Sequence, residues 1–222
     1  MTKFSLKNID SEDLEDLLLE VEKSFGVTFV GNELVHIKTF GELCDHIESK
    51  IELENSESCT SQQAFYKLRE AISTTLLIEN KTISPSFPLK QILPRQNRRS
   101  IVKKLEGNLG FKLKILRAPY WVTTTLAIIL IVSLVVVFFS WRVGVFGIVF
   151  SFFGLRLSDR IGKELDLKTV GEVAKKMTRE NYLKSRRNPN TFNRKEIEKL
   201  LTEWFSVNLD LEKSELTREA EF

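Results

Sequence analysis

The sequence predicts an all-α protein built from a transmembrane helical hairpin and two small helical bundles. Three observations lead there. Residues 120–155 are 36 consecutive positions with one charged side chain, Arg142. Outside that run, apolar residues recur at i, i+3, i+4 and i+7, the spacing that places them on one face of a helix. A short helix-start motif also occurs twice, which points to two copies of one helical unit.

The elements follow in order. Leu14, Leu17, Leu18, Val21 and Phe25 form the first stripe, which ends at Phe25-Gly26-Val27. Ile37-Lys38-Thr39-Phe40-Gly41-Glu42-Leu43 then starts a helix carrying Leu43, Ile47 and Ile51. Thr39 is placed to cap it, with an acid three positions on, the capping-box arrangement. A helix over 62–79 carries Phe65, Leu68, Ile72 and Leu76, and another carries Ile101, Leu105, Leu109 and Leu113, with Gly110-Phe111 near its end. After the apolar run, Leu167-Lys168-Thr169-Val170-Gly171-Glu172-Val173 repeats the capped start, followed by Met177. The last helix, 194–209, carries Ile197, Leu200, Leu201, Trp204 and Phe205. Helices striped in this way assemble into bundles rather than sheets.

The apolar run is too long for one crossing: at 1.5 Å per residue it would reach about 54 Å, against about 30 Å of hydrocarbon. Residues 121–140 form a block long enough to span alone, with Pro119 suited to its start and Tyr120, Trp121 and Trp141 suited to the two interfaces. Trp141, Arg142 and Gly144 mark the expected turn, where Arg142 reaches the far headgroups. The second block, 143–157, is short, and Gly144, Gly147 and Gly154 let it pack closely on the first. Lys112, Lys114 and Arg117 precede the run and Arg156, Arg160 and Lys163 follow it. Basic flanks favour the cytosolic side, so a hairpin with both termini cytosolic in an inner (cytoplasmic) membrane is expected. The alternative is one span with the C-terminal half across. The first residues are polar and acidic, without the apolar stretch of a secretory signal.

The chain has 222 residues and a net charge of +3, unevenly spread. Residues 10–57 are acidic and residues 95–114 basic. Beside an apolar run, a basic stretch reads as attraction to an anionic bilayer surface; no nucleic-acid recognition motif accompanies it. Cys44 and Cys59 give no framework of bridges and are expected to be reduced thiols, Cys44 as packing. His36 and His46 lack metal-ligand spacing. No phosphate loop, nucleophile elbow or catalytic pair is present in sequence, which argues against an enzyme such as a membrane acyltransferase. Arg142 alone within the run leaves few polar groups for a transport pathway.

Asp10-Ser11-Glu12-Asp13-Leu14-Glu15-Asp16-Leu17, Glu22 and Phe25-Gly26-Val27 resemble the second helix of the acyl carrier protein family, and Thr39-Phe40-Gly41-Glu42-Leu43 resembles the start of its last helix. Residues 197–222, with Leu209-Asp210-Leu211 and the segment from Glu215 to Phe222, resemble its first helix and following loop. The resemblance therefore implies a circularly permuted carrier fold of residues 1–52 completed by 194–222, or exchange of the C-terminal helix in a homodimer. A second carrier-like module would begin with residues 60–117, be interrupted by the hairpin at 118–157 and close with 158–184, leaving 185–193 as a linker. By the same resemblance, Ser11 is the attachment point of a 4'-phosphopantetheine arm, with Asp10 beside it helping the transferase's metal ion. Asn97 stands where the second module's serine is expected and could carry no such ester. Glu12 and Glu15 replace residues that are usually apolar in that family.

Two roles are open to Ser11: attachment of the arm, or simple capping of the helix that follows. Two functions follow. The chain is either a membrane-anchored acyl carrier presenting a thioester to acyl-transferring or condensing enzymes of lipid or polyketide metabolism, or a non-catalytic scaffold using the carrier fold for docking. Neither involves nucleic acid or a metal centre.

Overall fold

The computed structural model of the protein describes residues 10–31 and 33–222; the first nine residues of the expected 1–52 segment lie outside it. Its elements are α1 (Ser11–Phe25), α2 (Phe40–Lys50), β1 (Glu54–Asn55), α3 (Thr60–Leu76), α4 (Leu89–Ile92), α5 (Arg98–Leu109), β2 (Leu116–Arg117), α6 (Tyr120–Val136), α7 (Trp141–Ile161), β3 (Glu164–Leu165), α8 (Val170–Glu180), α9 (Tyr182–Ser185), β4 (Thr191–Phe192) and α10 (Arg194–Asn208). The described residues are mostly helical, and each strand is two residues long. The chain divides into two compact units: unit 1 holds the described residues up to Glu70 together with 174–222, and unit 2 holds 71–173.

In unit 1 the apolar stripes meet as their spacing predicts. Leu17, Val21 and Phe25 of α1, Phe40, Leu43 and Ile47 of α2, and Ile197, Leu201, Trp204 and Phe205 of α10 share one core with Tyr182. The Phe25 and Tyr182 rings lie 5.0 Å apart, and Phe40 meets Phe205 edge-on at 5.2 Å. The C-terminal segment closes this core. Phe40 N–H donates to the Ala220 carbonyl and Gly41 N–H to that of Arg218, both at 2.9 Å, while Phe222 N–H donates to Lys38 at 3.1 Å. A Cβ on Gly41 would stand 2.8 Å from the Arg218 carbonyl oxygen, so this backbone approach requires glycine. Arg218 then pairs with Asp45 and Glu198, and these carboxylates raise its pKa.

Unit 2 uses the same device within a continuous stretch of chain. Val170 N–H donates to Phe87, Gly171 N–H to Pro85 and Leu89 N–H to Lys168. A Cβ on Gly171 would lie 2.9 Å from the Pro85 carbonyl. The helix starts match as well. Thr39 forms a full capping box with Glu42. Thr169 Oγ1 accepts the Glu172 N–H at 3.2 Å, and the Glu172 carboxylate accepts the Lys168 N–H at 2.7 Å. The helix ends match too, at the glycines paired in sequence, and with them comes a glutamate contact that the sequence reading does not find. α1 and α5 both end on a left-handed glycine, Gly26 (φ 67°) and Gly110 (φ 78°). In each, a glutamate four residues earlier reaches past the glycine to a backbone N–H seven residues on: Glu22 to Phe29 and Glu106 to Leu113. With the glycines aligned, α5 starts three residues later than α1 (Arg98 against Ser11). Asn97, expected opposite Ser11, instead precedes α5 as Asp10 precedes α1, and its side chain caps nothing.

The apolar run forms two packed helices, but not divided as the sequence reading expects. The turn falls at 137–140, before Trp141, and α6 has 17 residues while α7 has 21. At 1.5 Å per residue these lengths correspond to about 26 and 32 Å. The first block, expected to span alone, is thus the shorter helix. Among the described residues only Trp141–Ser158 is both long and apolar enough to cross a membrane. The physical reason lies in the glycines. Gly144 admits the turn residue Val137, whose backbone nitrogen would lie 2.5 Å from a Cβ there, so the turn closes before Trp141. Gly147 and Gly154 make the close helix contact expected of them, a Cβ on Gly147 meeting Ser133 Oγ and one on Gly154 meeting Leu126 at 2.9 Å. Arg142 accordingly sits exposed in the first turn of α7, and the turn itself exposes Phe138 and Phe139. At the opposite end of the pair, β2 and β3 run antiparallel, with Leu116 opposite Leu165 and Arg117 opposite Glu164. Gly162 approaches the Arg117 carbonyl so closely that a Cβ would lie 2.4 Å from it.

One buried charge organises the join within unit 1 between residues 54–60 and 182–193. Arg186 is 1% exposed. Its guanidinium donates to Ser58 Oγ at 3.0 Å, to Thr191 Oγ1 at 3.1 Å, to the Ser58 carbonyl at 3.3 Å and to Thr60 Oγ1. It also lies 5.7 Å from the Tyr182 ring, whose phenol burial pushes up in pKa. Neutral oxygens therefore satisfy the charge, and the parallel pairing of β1 with β4 runs alongside. Arg186→Met leaves the buried Thr60 hydroxyl without this donor and removes the guanidinium's bonds to Ser58 and Thr191, and urea unfolding of unit 1 should show a loss of about 1–3 kcal/mol. An unchanged midpoint would mean that water replaces the guanidinium without cost.

Candidate functional site

The sequence places its candidate chemistry at the start of α1. There Asp10 adopts the extended conformation of a cap (φ −64°, ψ 131°), and its carboxylate accepts the Glu12 N–H at 3.1 Å. Ser11 is the first helical residue and is exposed. The capping role that sequence leaves open to Ser11 therefore falls to Asp10, whose carboxylate also complements the positive end of the helix dipole. Both residue types cap well and they are adjacent, so sequence alone does not separate them. Asp10 is bound to backbone, while the Ser11 hydroxyl stands at a helix N-terminus without serving as its cap.

The surroundings are acidic. Glu12, Asp13, Glu15 and Asp16 are all exposed around the first turns. They stabilise the helix start, yet an anion attached at Ser11 would meet four carboxylates. The same surface is complementary to a basic partner. Beneath it, Leu17 and Val21 are buried in the unit 1 core, which gives the serine a rigid base.

The loop between α1 and α2 holds a second polar cluster. Glu33 accepts from Lys50 Nζ at 2.7 Å and from the Val30 N–H at 2.8 Å, and it lies 2.7 Å from His46 Nε2. The Lys50 ammonium, then the Val30 N–H, hold the Glu33 carboxyl down at about 2. His46 is thereby bound to a carboxylate and stacked on Phe29 at 6.1 Å. Among the described residues, no group of three His, Cys, Asp or Glu side chains could hold a metal ion. Cys44 is in the core, where burial pushes its thiol up to about 12, and Cys59 is exposed. The sequence reading does not find the Glu33 cluster, because its partners lie 3 to 17 residues away and no periodicity marks them.

No protein-family model matches the chain, and no curated protein or solved structure matches it either.

Two outcomes follow. Asp10→Ala removes the cap and should cost about 1 kcal/mol, whereas Ser11→Ala should change stability by less than about 0.5 kcal/mol; equal losses in chemical denaturation would return the capping role to Ser11. Glu33 has a depressed pKa, so its contribution is complete above its ordinary value of 4.5 and is lost as pH falls toward about 2. The protection factor of the Val30 N–H, its intrinsic exchange rate over the observed one at each pH, should fall as pH falls across that window, and Glu33→Gln should leave a protection factor that does not change there.

Proposed function

We propose that the chain is a membrane-anchored, acyl-carrier-like protein that presents a phosphopantetheine-linked acyl group at Ser11 to enzymes at the cytosolic membrane face. The observation that supports this most is Ser11 itself: an exposed hydroxyl at the N-terminus of a 15-residue helix, with the cap supplied by its neighbour. A helix N-terminus favours a phosphate, and an exposed first-turn position admits a modifying enzyme. The helix order around it, α1 then α2 with α10 packed on both, agrees with the resemblance read from sequence.

The anchor is the α6–α7 pair. Ile128, Ile131, Leu134, Phe146, Phe150 and Phe153 are more than half exposed, and only 17% of the Trp141–Ser158 window is buried. A soluble core helix would bury most of such a surface, and an apolar surface this extensive requires an apolar solvent. A hairpin with both flanks cytosolic is favoured by the basic residues on either side and by the β2–β3 pairing that holds the two flanks together.

The acidic collar around Ser11 favours a second reading, a docking scaffold without an attached arm. In unit 2, the position matching Ser11 as first helical residue is Arg98, with Asn97 before it, so no hydroxyl opens α5. Intact mass measurement of the chain from its own host separates the readings. An addition of about 340 Da mapped to Ser11, absent in Ser11→Ala, is the expected result for a carrier. An unmodified Ser11 in the presence of an active transferase leaves the scaffold. Resistance to carbonate extraction from membranes is expected in both cases, and release into the soluble fraction would overturn the anchor.

A further inference from the structure

Unit 2 contains a cavity of about 470 Å³ at the strand-paired end of the apolar pair. That volume falls within the range of small-molecule sites. Arg99 and Lys103, one turn apart on α5, line it with Lys112 and with Arg160 from the last turn of α7. Arg99 also donates to the Arg160 carbonyl at 2.6 Å, tying α5 to the end of α7. Against these four cations the described lining has one carboxylate, Glu106. Its Oε1 is held by the Leu113 N–H at 2.9 Å, and Lys112 lies 3.9 Å from its other oxygen. Ser100 adds a hydroxyl, and the remaining wall is apolar: Val102, Ile115 and Leu116.

The position of this cavity bears on its ligand. Leu116 belongs to β2, three residues before Pro119, which precedes α6. Arg160 lies in the last turn of α7, where the nearby Leu157 and Ile161 are exposed. On the membrane reading above, on which this inference rests, the cavity lies at headgroup depth with apolar helix surface beside it. A cationic pocket with an apolar wall at that depth matches a phosphate diester joined to acyl chains.

We propose that this cavity is a binding site for the headgroup of an anionic phospholipid, with Arg99, Lys103, Lys112 and Arg160 holding the phosphate and the half-buried Leu116, with the exposed Leu157 and Ile161 nearby, meeting the start of the acyl chains. Uniform attraction of a basic surface would not depend on which lysines and arginines remain; a built site does.

The test uses the full chain reconstituted into vesicles of phosphatidylcholine alone or mixed with phosphatidylglycerol. After flotation, the protein is extracted in mild detergent and its co-purifying lipid is quantified. Phosphatidylglycerol should be enriched about tenfold over its share of the vesicle, a difference of about 1.4 kcal/mol. The enrichment should vanish in Arg99→Gln/Lys103→Gln and in Lys112→Gln, and persist in Lys81→Gln/Lys90→Gln, which removes two exposed unit 2 charges outside the cavity. Equal loss in that control would reduce the effect to diffuse electrostatics and overturn the site. Binding of inorganic phosphate by the detergent-solubilised chain strongly enough to displace the lipid would make the ligand a soluble anion and likewise overturn the lipid assignment. If the chain floats with neutral vesicles but shows no selectivity, the site fails and the anchor stands. Failure to float at all sinks the anchor and this proposal with it.

Discussion

Unit 1 depends on a backbone closure between residues far apart in sequence. Residues 218–222 pair with 38–41, and the pairing passes over a glycine too close to the opposing carbonyl for any side chain. Without that closure, the first turn of α2 would leave Phe40 and Gly41 N–H groups unpaired, and the core would lose its cover from Leu216 and Ala220. Closing so long a loop costs conformational entropy that local contacts do not recover. The aromatic contacts offset that cost: Phe25–Trp204 and Phe40–Phe205 join α10 to α1 and α2, and Phe25–Tyr182 joins α1 to α9. In unit 2 the equivalent closure joins 85–89 to 168–171, with the apolar pair lying between the two partners in sequence.

The charged groups divide into those that shape the chain and those that face outward. Arg186 is buried among neutral oxygens and fixes a junction, a costly arrangement that persists because its donors are met. Glu33 gathers Lys50, His46 and a backbone N–H around one carboxylate at the surface. The exposed acids at the start of α1 and the exposed cations on and beside α5 face outward, and they give the two units surfaces of opposite sign.

How much of this was legible in the sequence depends on how local each cause is. The capped starts at Thr39 and Thr169 were legible because hydroxyl and carboxylate act within four residues. The apolar stripes were legible because helix period alone places them on one face. The turn between α6 and α7 was misplaced because Trp141, Arg142 and Gly144 read as the turn, whereas Gly144 lies inside α7 with the turn residue Val137 against it; the close packing read for Gly147 and Gly154 is met by Ser133 and Leu126. Asp10 and Ser11 were not separated, since either side chain can cap and the choice rests on backbone dihedrals. The contacts of Arg186, Glu22 and Glu106 were invisible for a different reason: Arg186 lies just past α9 and the two glutamates reach backbone beyond their helix ends, where no period marks a partner.

The β2–β3 ladder also bears on how the apolar pair is joined to unit 2. It brings Leu116 opposite Leu165, and Gly162 touches the Arg117 carbonyl, so the chain leaves and returns at nearly one point. A segment joined this way behaves as a cassette. Its excision asks a short tight turn to bridge a gap that the ladder has already closed, and its exchange for a segment of another length need not disturb the register on which α5 and α8 depend.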